Sequence, residues 1–166
     1  MIMFILFWIS ALVFWAYTIF YLKIFGVPKS VSDTYYLFKK NKGNNWIFSV
    51  VFMITVFSLI PVFIEYSTEN TQFLAFISCT GLAFVGAAPR FKIELEGVVH
   101  VVAANICALA AILWVIFNVH YGWVVVIASF LIFGGIALKD WKNKTFWLEI
   151  AAFLMTFICV GMKLYI

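Results

Sequence analysis

Charged side chains make up 11% of this chain, less than half of the quarter or so usual in soluble domains. With apolar residues at 66%, too little polar surface remains to cover a water-soluble globule. The composition excludes that class and places the chain in a bilayer. Histidine is scarcer still, at His100 and His120 alone, and the cysteines Cys79, Cys107 and Cys159 each fall inside an apolar run. That leaves no Cys/His set at metal-ligand spacing and no disulfide framework. A CxxC, an HExxH, a GxSxG and a glycine-rich phosphate loop are missing as well. No cofactor or metal is expected.

What the chain has in abundance is long apolar runs. A helix needs about 20 apolar residues to cross a bilayer, and six segments qualify: 2–22, 46–64, 73–88, 98–119, 122–138 and 146–165. The third and fifth are short and carry glycine, so they read as tilted or incompletely crossing spans. Continuous runs rather than ten-residue alternations argue against a β-barrel. Seven Trp, seven Tyr and twenty Phe suit the headgroup boundary and the gaps between helices. The first run has no basic leader and no small-residue cleavage site, so it is expected to be retained as a span. The predicted fold is an all-α integral membrane bundle of about six helices in a single domain, 1–166, with a short amphipathic helix after the first span.

Orientation follows from Lys and Arg in the short loops. Lys23, Lys29, Lys39, Lys40 and Lys42 fall in the first loop, Arg90 and Lys92 in the third, and Lys139, Lys142 and Lys144 in the fifth; only Lys163 falls on the other side. This bias predicts loops one, three and five in the cytoplasm and both termini outside a bacterial inner membrane. It also accounts for the net charge of +4 without nucleic acid.

The first loop, "GVPKSVSDTYYLFKKNKGNN", is the longest polar run. Val31, Thr34, Tyr35 and Phe38 follow a helical stripe, Ser30 with Asp33 forms a variant capping pattern, and Gly43 offers a stop. An interfacial helix over 31–42 is expected on the inner membrane face, with Tyr35 and Phe38 in the apolar boundary and Lys39, Lys40 and Lys42 at anionic headgroups. It serves either as an orientation signal and spacer or as a partner-docking or gating element.

Polar groups at membrane depth are costly and few. Glu96 and His100 share a face at i, i+4, which continues through Ala103, Ala104, Cys107, Ala111, Trp114 and Asn118. Glu149 lies at a similar depth on the sixth span, so Glu96, His100 and Glu149 are expected to meet around a cytoplasm-facing pocket. Either a helix-locking hydrogen bond or a proton, ion or ligand site accounts for them. Asn105 points away from His100, which predicts neighbours on two sides of the fourth span. Thr55 and Ser58, Ser78 and Gly81, Ser129, and Thr156 are candidates for helix packing or pore lining. The "IELEG" stretch, with Glu94 and Glu96, reads as loop, and "EYSTENTQ" and "NVHYGW" as connectors on the opposite side.

The segments "VPKSVSDTYYLF", "TQFLAFISCTGLAFVGAAPRFKIELEGVVH" and "FWLEIAAFLMTF" resemble a group of small uncharacterised polytopic membrane proteins of bacteria and phage, a resemblance that implies a multi-span fold and no activity. Pro89, His100 and Ala104 give a fainter similarity to the DRAM-like multi-span proteins. The zinc-dependent ceramidase-like membrane hydrolases use three histidines, which this chain does not have. The expected function is a non-enzymatic assembly that forms or regulates a permeation path as an oligomer. The alternatives are an intramembrane enzyme or lipid-binding protein using the Glu/His pocket, and an accessory subunit of a larger complex. Membrane lipids and either further copies or a membrane-protein partner are the expected contacts.

Overall fold

The computed structural model describes residues 1–42, 45–89 and 92–165, with the backbone alone for Asn41 and Lys42. The expected stop at Gly43 and the loop residue Arg90 lie outside the described residues, as does the side chain of Lys42. The described residues form seven helices: α1 (Ile2–Phe25), α2 (Thr34–Lys42), α3 (Trp46–Glu65), α4 (Gln72–Ala87), α5 (Glu94–Asn118), α6 (Gly122–Lys139) and α7 (Lys144–Tyr165). Six of the seven are built on long apolar segments, and among the described residues there is no strand. In hydrocarbon every backbone N–H and C=O must be satisfied within the segment, and a helix does this residue by residue. The chain is a multi-span helical membrane protein.

Both short segments are long enough to cross. A 3₁₀ turn at Glu69–Thr71 runs directly into α4 and extends that unit to 19 residues, while α6 has 18 residues and rises about 27 Å. α5 starts at Glu94, so "IELEG" forms its first turn rather than a loop. Glu94 and Glu96 there sit at the positive end of the helix dipole. Helices extend beyond their apolar core wherever polar residues meet the headgroups, which a hydropathy boundary misses.

α1 ends at Gly26, whose φ of 73° turns the chain back and whose N–H still bonds Leu22 C=O. Neighbouring spans in chain order pack on one another: α1 on α3, α3 on α4, α4 on α5 and α6 on α7. Close approach of α4 to α5 requires Gly81, where an added Cβ would lie 2.9 Å from Ala103 C=O. Ser78 strengthens the same seam by donating to Cys107 C=O at 3.2 Å. α5 meets α6 and α7 more sparingly, and α1 reaches α7 chiefly through rings. Phe14, fully buried, stacks 4.0 Å from Phe153 and lies 5.8 Å from Phe157, so aromatic bulk fills a gap that the backbones leave open. An interior cavity remains among α3, α4, α5, α6 and α7.

The helix after α1 is shorter than expected and differently placed. A 3₁₀ turn at Val31–Asp33 precedes α2, and both fold back into the bundle. Tyr35 and Phe38, expected at the lipid boundary, are buried in the core. Phe38 packs against Tyr17, Tyr21 and Phe25, and Tyr35 against Phe48. Helical periodicity identified the apolar face correctly, but α1 and α3 cover it instead of lipid. Lys39 and Lys40 are exposed.

Candidate functional site

The segment linking α1 to α2 positions the site. Ser30 Oγ accepts from Asp33 N–H at 3.1 Å and fixes the 3₁₀ turn, while Lys29 C=O accepts from Phe146 N–H at 3.1 Å and ties the segment to α7. On the α5 side, Lys92 pairs with Asp33 at 3.2 Å, and Lys92 N–H donates to Tyr36 Oη at 2.9 Å. Pinned from both sides, the turn buries Val31 and Ser32 under the bundle.

Two helices send polar groups to that turn. Val31 N–H donates to Glu149 Oε2 of α7. His100 of α5 sits between two partners, with Nδ1 2.8 Å from Ala88 C=O and Nε2 2.8 Å from Ser32 Oγ. A carbonyl only accepts, so Nδ1 carries a hydrogen; in neutral imidazole Nε2 is then the acceptor and the Ser32 hydroxyl donates to it. Ser32 and His100 are both buried, whereas Glu149 is half-buried.

These groups line one end of a cavity of about 550 Å³. Its walls are Phe52, Thr55, Leu59 and Phe63 from α3, Ser78, Cys79, Leu82 and Val85 from α4, and the small residues Ala104, Cys107, Ala108 and Ala111 from α5. Phe130 of α6 and Ala152, Phe153, Thr156 and Phe157 of α7 complete them. Most hydroxyls at mid-depth are spent locally: Thr156 donates to Ala152 C=O at 2.8 Å and Ser78 to α5. Thr55 Oγ1 differs, being buried with no hydrogen-bond partner among the described residues. The rim includes exposed Val101, Asn105 and Leu148 on the side where α5 stands off α7.

Of the residues expected to converge, the structure brings together His100 and Glu149. Glu96 is half-buried in the first turn of α5 and is not among the cavity's lining residues; the third polar member is Ser32. Thr55, Ser78 and Thr156 line the cavity, whereas Ser58 and Ser129 are buried away from it. Asn105 is exposed at the rim and donates to Val101 C=O at 2.9 Å, on a helix that packs against α4, α6 and α7. Gly81 belongs to the α4–α5 seam.

No family model, curated protein or solved structure matches the chain. Function therefore has to be argued from the site's own chemistry. Among the described residues no group of three or more His, Cys, Asp or Glu side chains is arranged to hold a metal ion. Ser32 carried a weak sequence signal, one hydroxyl within "KSVSDT", where turn formation alone accounts for Ser and Asp. Its pairing with a histidine 68 positions away exists only in the folded chain.

Proposed function

We propose that the protein holds a membrane amphiphile in this cavity, its polar group against Ser32, His100 and Glu149 and its apolar part along Leu59, Phe63, Leu82 and Phe157. The observation that carries the reading is the division of the cavity into one polar end and a long apolar remainder. Sites for small molecules share that character, apolar walls with a few placed polar groups in about 300–1,000 Å³. Glu149 uses one carboxylate oxygen on Val31 N–H, which leaves acceptor capacity for a ligand hydroxyl or ammonium. Native mass spectrometry of protein released from mild detergent tests the reading. One amphiphile should remain per chain, and Ala104→Trp, which fills the cavity from α5, should lower occupancy about tenfold in protein that still elutes as a folded species. Equal occupancy in both proteins rejects it.

A permeation path formed by several copies is the second reading. It draws on α6, where only Gly122, Ser129 and Ala137 are buried and Gly134 and Gly135 face open space that a neighbouring copy would fill. Mass in detergent and ion flux from liposomes test it; a monomer without flux retires it. For orientation, the basic loops meet at the end that holds the polar site, and the positive-inside rule assigns that end to the cytoplasm of a bacterial cell, with both termini outside. A cysteine added after the C-terminus should react with an impermeant maleimide in intact cells, and protection there reverses the assignment.

A further inference from the structure

We propose that Ser32 and His100 form a nucleophile and general-base pair that cleaves an acyl ester of the amphiphile in the cavity. The inference rests on the amphiphile-binding reading and adds a reaction to it. Hydroxyls in a helix's first turn usually bond to nearby backbone, and two neighbours do so: Ser30 Oγ accepts from Asp33 N–H, and Thr34 Oγ1 donates to Val31 C=O at 2.6 Å. Ser32 instead directs its hydroxyl to His100 Nε2 at 2.8 Å, across the bundle. The imidazole is in turn oriented by Ala88 C=O at 2.8 Å on Nδ1. Nucleophile, base and orienting acceptor stand in hydrogen-bonding sequence, the arrangement that activates a hydroxyl for attack. A bond that only fastened the turn to α5 needs no open space beside it, yet both side chains line the cavity. The turn is also held independently, by the Lys92 ion pair to Asp33 and by Glu149 on Val31 N–H.

The chemistry closes with water as the second reactant. Ser32 Oγ attacks the acyl carbonyl carbon and its proton passes to Nε2. The tetrahedral adduct collapses, the ester C–O bond breaks, and the leaving alkoxide takes that proton to depart as an alcohol. Water then gives its proton to Nε2 and attacks the acyl-serine, releasing the carboxylic acid and restoring Ser32. Exposed Lys29 and Thr145 at the polar end place this step beside the membrane surface, where water is at hand.

The test treats the intact wild-type protein, in lipid nanodiscs, with a hexadecyl fluorophosphonate, an amphiphile whose phosphorus mimics the acyl carbon. Intact-mass and peptide analysis should find one phosphonyl adduct per chain, on Ser32, absent in Ser32→Ala and at least tenfold slower to form in His100→Gln. A wild-type protein that retains its native amphiphile yet forms no Ser32 adduct overturns the acyl-cleavage inference and leaves the binding reading standing. Loss of both adduct and retained amphiphile overturns both. An adduct on Ser32 that forms as fast in His100→Gln as in wild type removes His100 as the base and overturns the pair.

Discussion

At the end of the bundle where α3 connects to α4 and α5 to α6, Asn118 fills three of the four hydrogen-bonding positions of its side chain. Its Oδ1 accepts from Thr68 N–H at 2.9 Å and Thr71 Oγ1 at 2.8 Å, while its Nδ2 donates to Trp114 C=O at 2.9 Å. Trp114, fully buried, donates its indole N–H to Ser67 Oγ at 2.6 Å and packs on Phe63. At the opposite end Glu149 has one hydrogen bond among the described residues and borders open space. Both ends hold a polar group under a connector, but Asn118 uses both of its acceptor positions and lies away from the cavity, whereas Glu149 keeps acceptor capacity beside it. A group whose acceptors are all taken away from any cavity marks a structural lock, and an incompletely bonded one beside a cavity marks a place built for something else.

The comparison breaks if substitutions at the two ends behave alike. Trp114→Ala has the largest expected effect. It removes a fully buried indole and its bond to Ser67, whose hydroxyl keeps Phe63 C=O at 2.6 Å, at a cost of about 3–5 kcal/mol, which a thermal melt of the detergent-purified protein should register as a large drop or as loss of folded material. Asn118→Leu comes next. It leaves Thr68 N–H without its acceptor, while the Thr71 hydroxyl retains Thr68 C=O at 3.0 Å; the cost of about 1–3 kcal/mol should lower the melting temperature without changing amphiphile occupancy.

Glu149→Gln should do the reverse. Its amide oxygen still accepts from Val31 N–H, so the melt should barely move, while the amide NH2 replaces the second carboxyl oxygen, removes that acceptor from the ligand and lowers affinity about tenfold. If Glu149→Gln shifts the melt and spares binding, the two ends are equivalent and the distinction falls. Lys92→Met should matter less, about 1 kcal/mol or under and less at high salt, because the Lys92 side chain of the ion pair is 56% exposed.

The smallest expected effect concerns Asp140, in the connector before α7. The Asn143 side chain, and then the Trp147 indole, hold its carboxyl below the usual range. A carboxylate with a depressed folded pKa stabilises fully above its unfolded value of about 3.9, and that contribution fades as pH falls through the lower folded value. Asp140→Asn should therefore lower the melting temperature slightly at neutral pH and leave it unchanged at the acid end, where the contribution is already lost, which flattens the acid limb of the profile.

The six spans were legible because an unbroken run of about twenty apolar residues suits a bilayer-crossing helix and little else. The polar end was half legible because His100 and Glu149 stand at the same depth on spans that start from the same side. Two things were out of reach. The stripe of Tyr35 and Phe38 declares an apolar face but not whether lipid or protein covers it. Helical spacing points from His100 to Glu96 on its own helix, because i, i+3 and i, i+4 neighbours are the proximities a linear sequence displays. Ser32 comes from a connector that Gly26 and the tie between Lys29 and Phe146 turn inward, and no local pattern encodes that return.

The gap between α5 and α7, rimmed by Val101, Asn105 and Leu148, determines which concentration governs occupancy. An amphiphile gains about 0.8 kcal/mol for each methylene it buries in the bilayer, so nearly all of it resides there rather than in water. A cavity with a sideways mouth fills from that reservoir by lateral diffusion. Its saturation should track moles of ligand per mole of lipid: doubling the lipid at fixed ligand should halve the loading of a sparsely filled protein, although the bulk molarity has not changed.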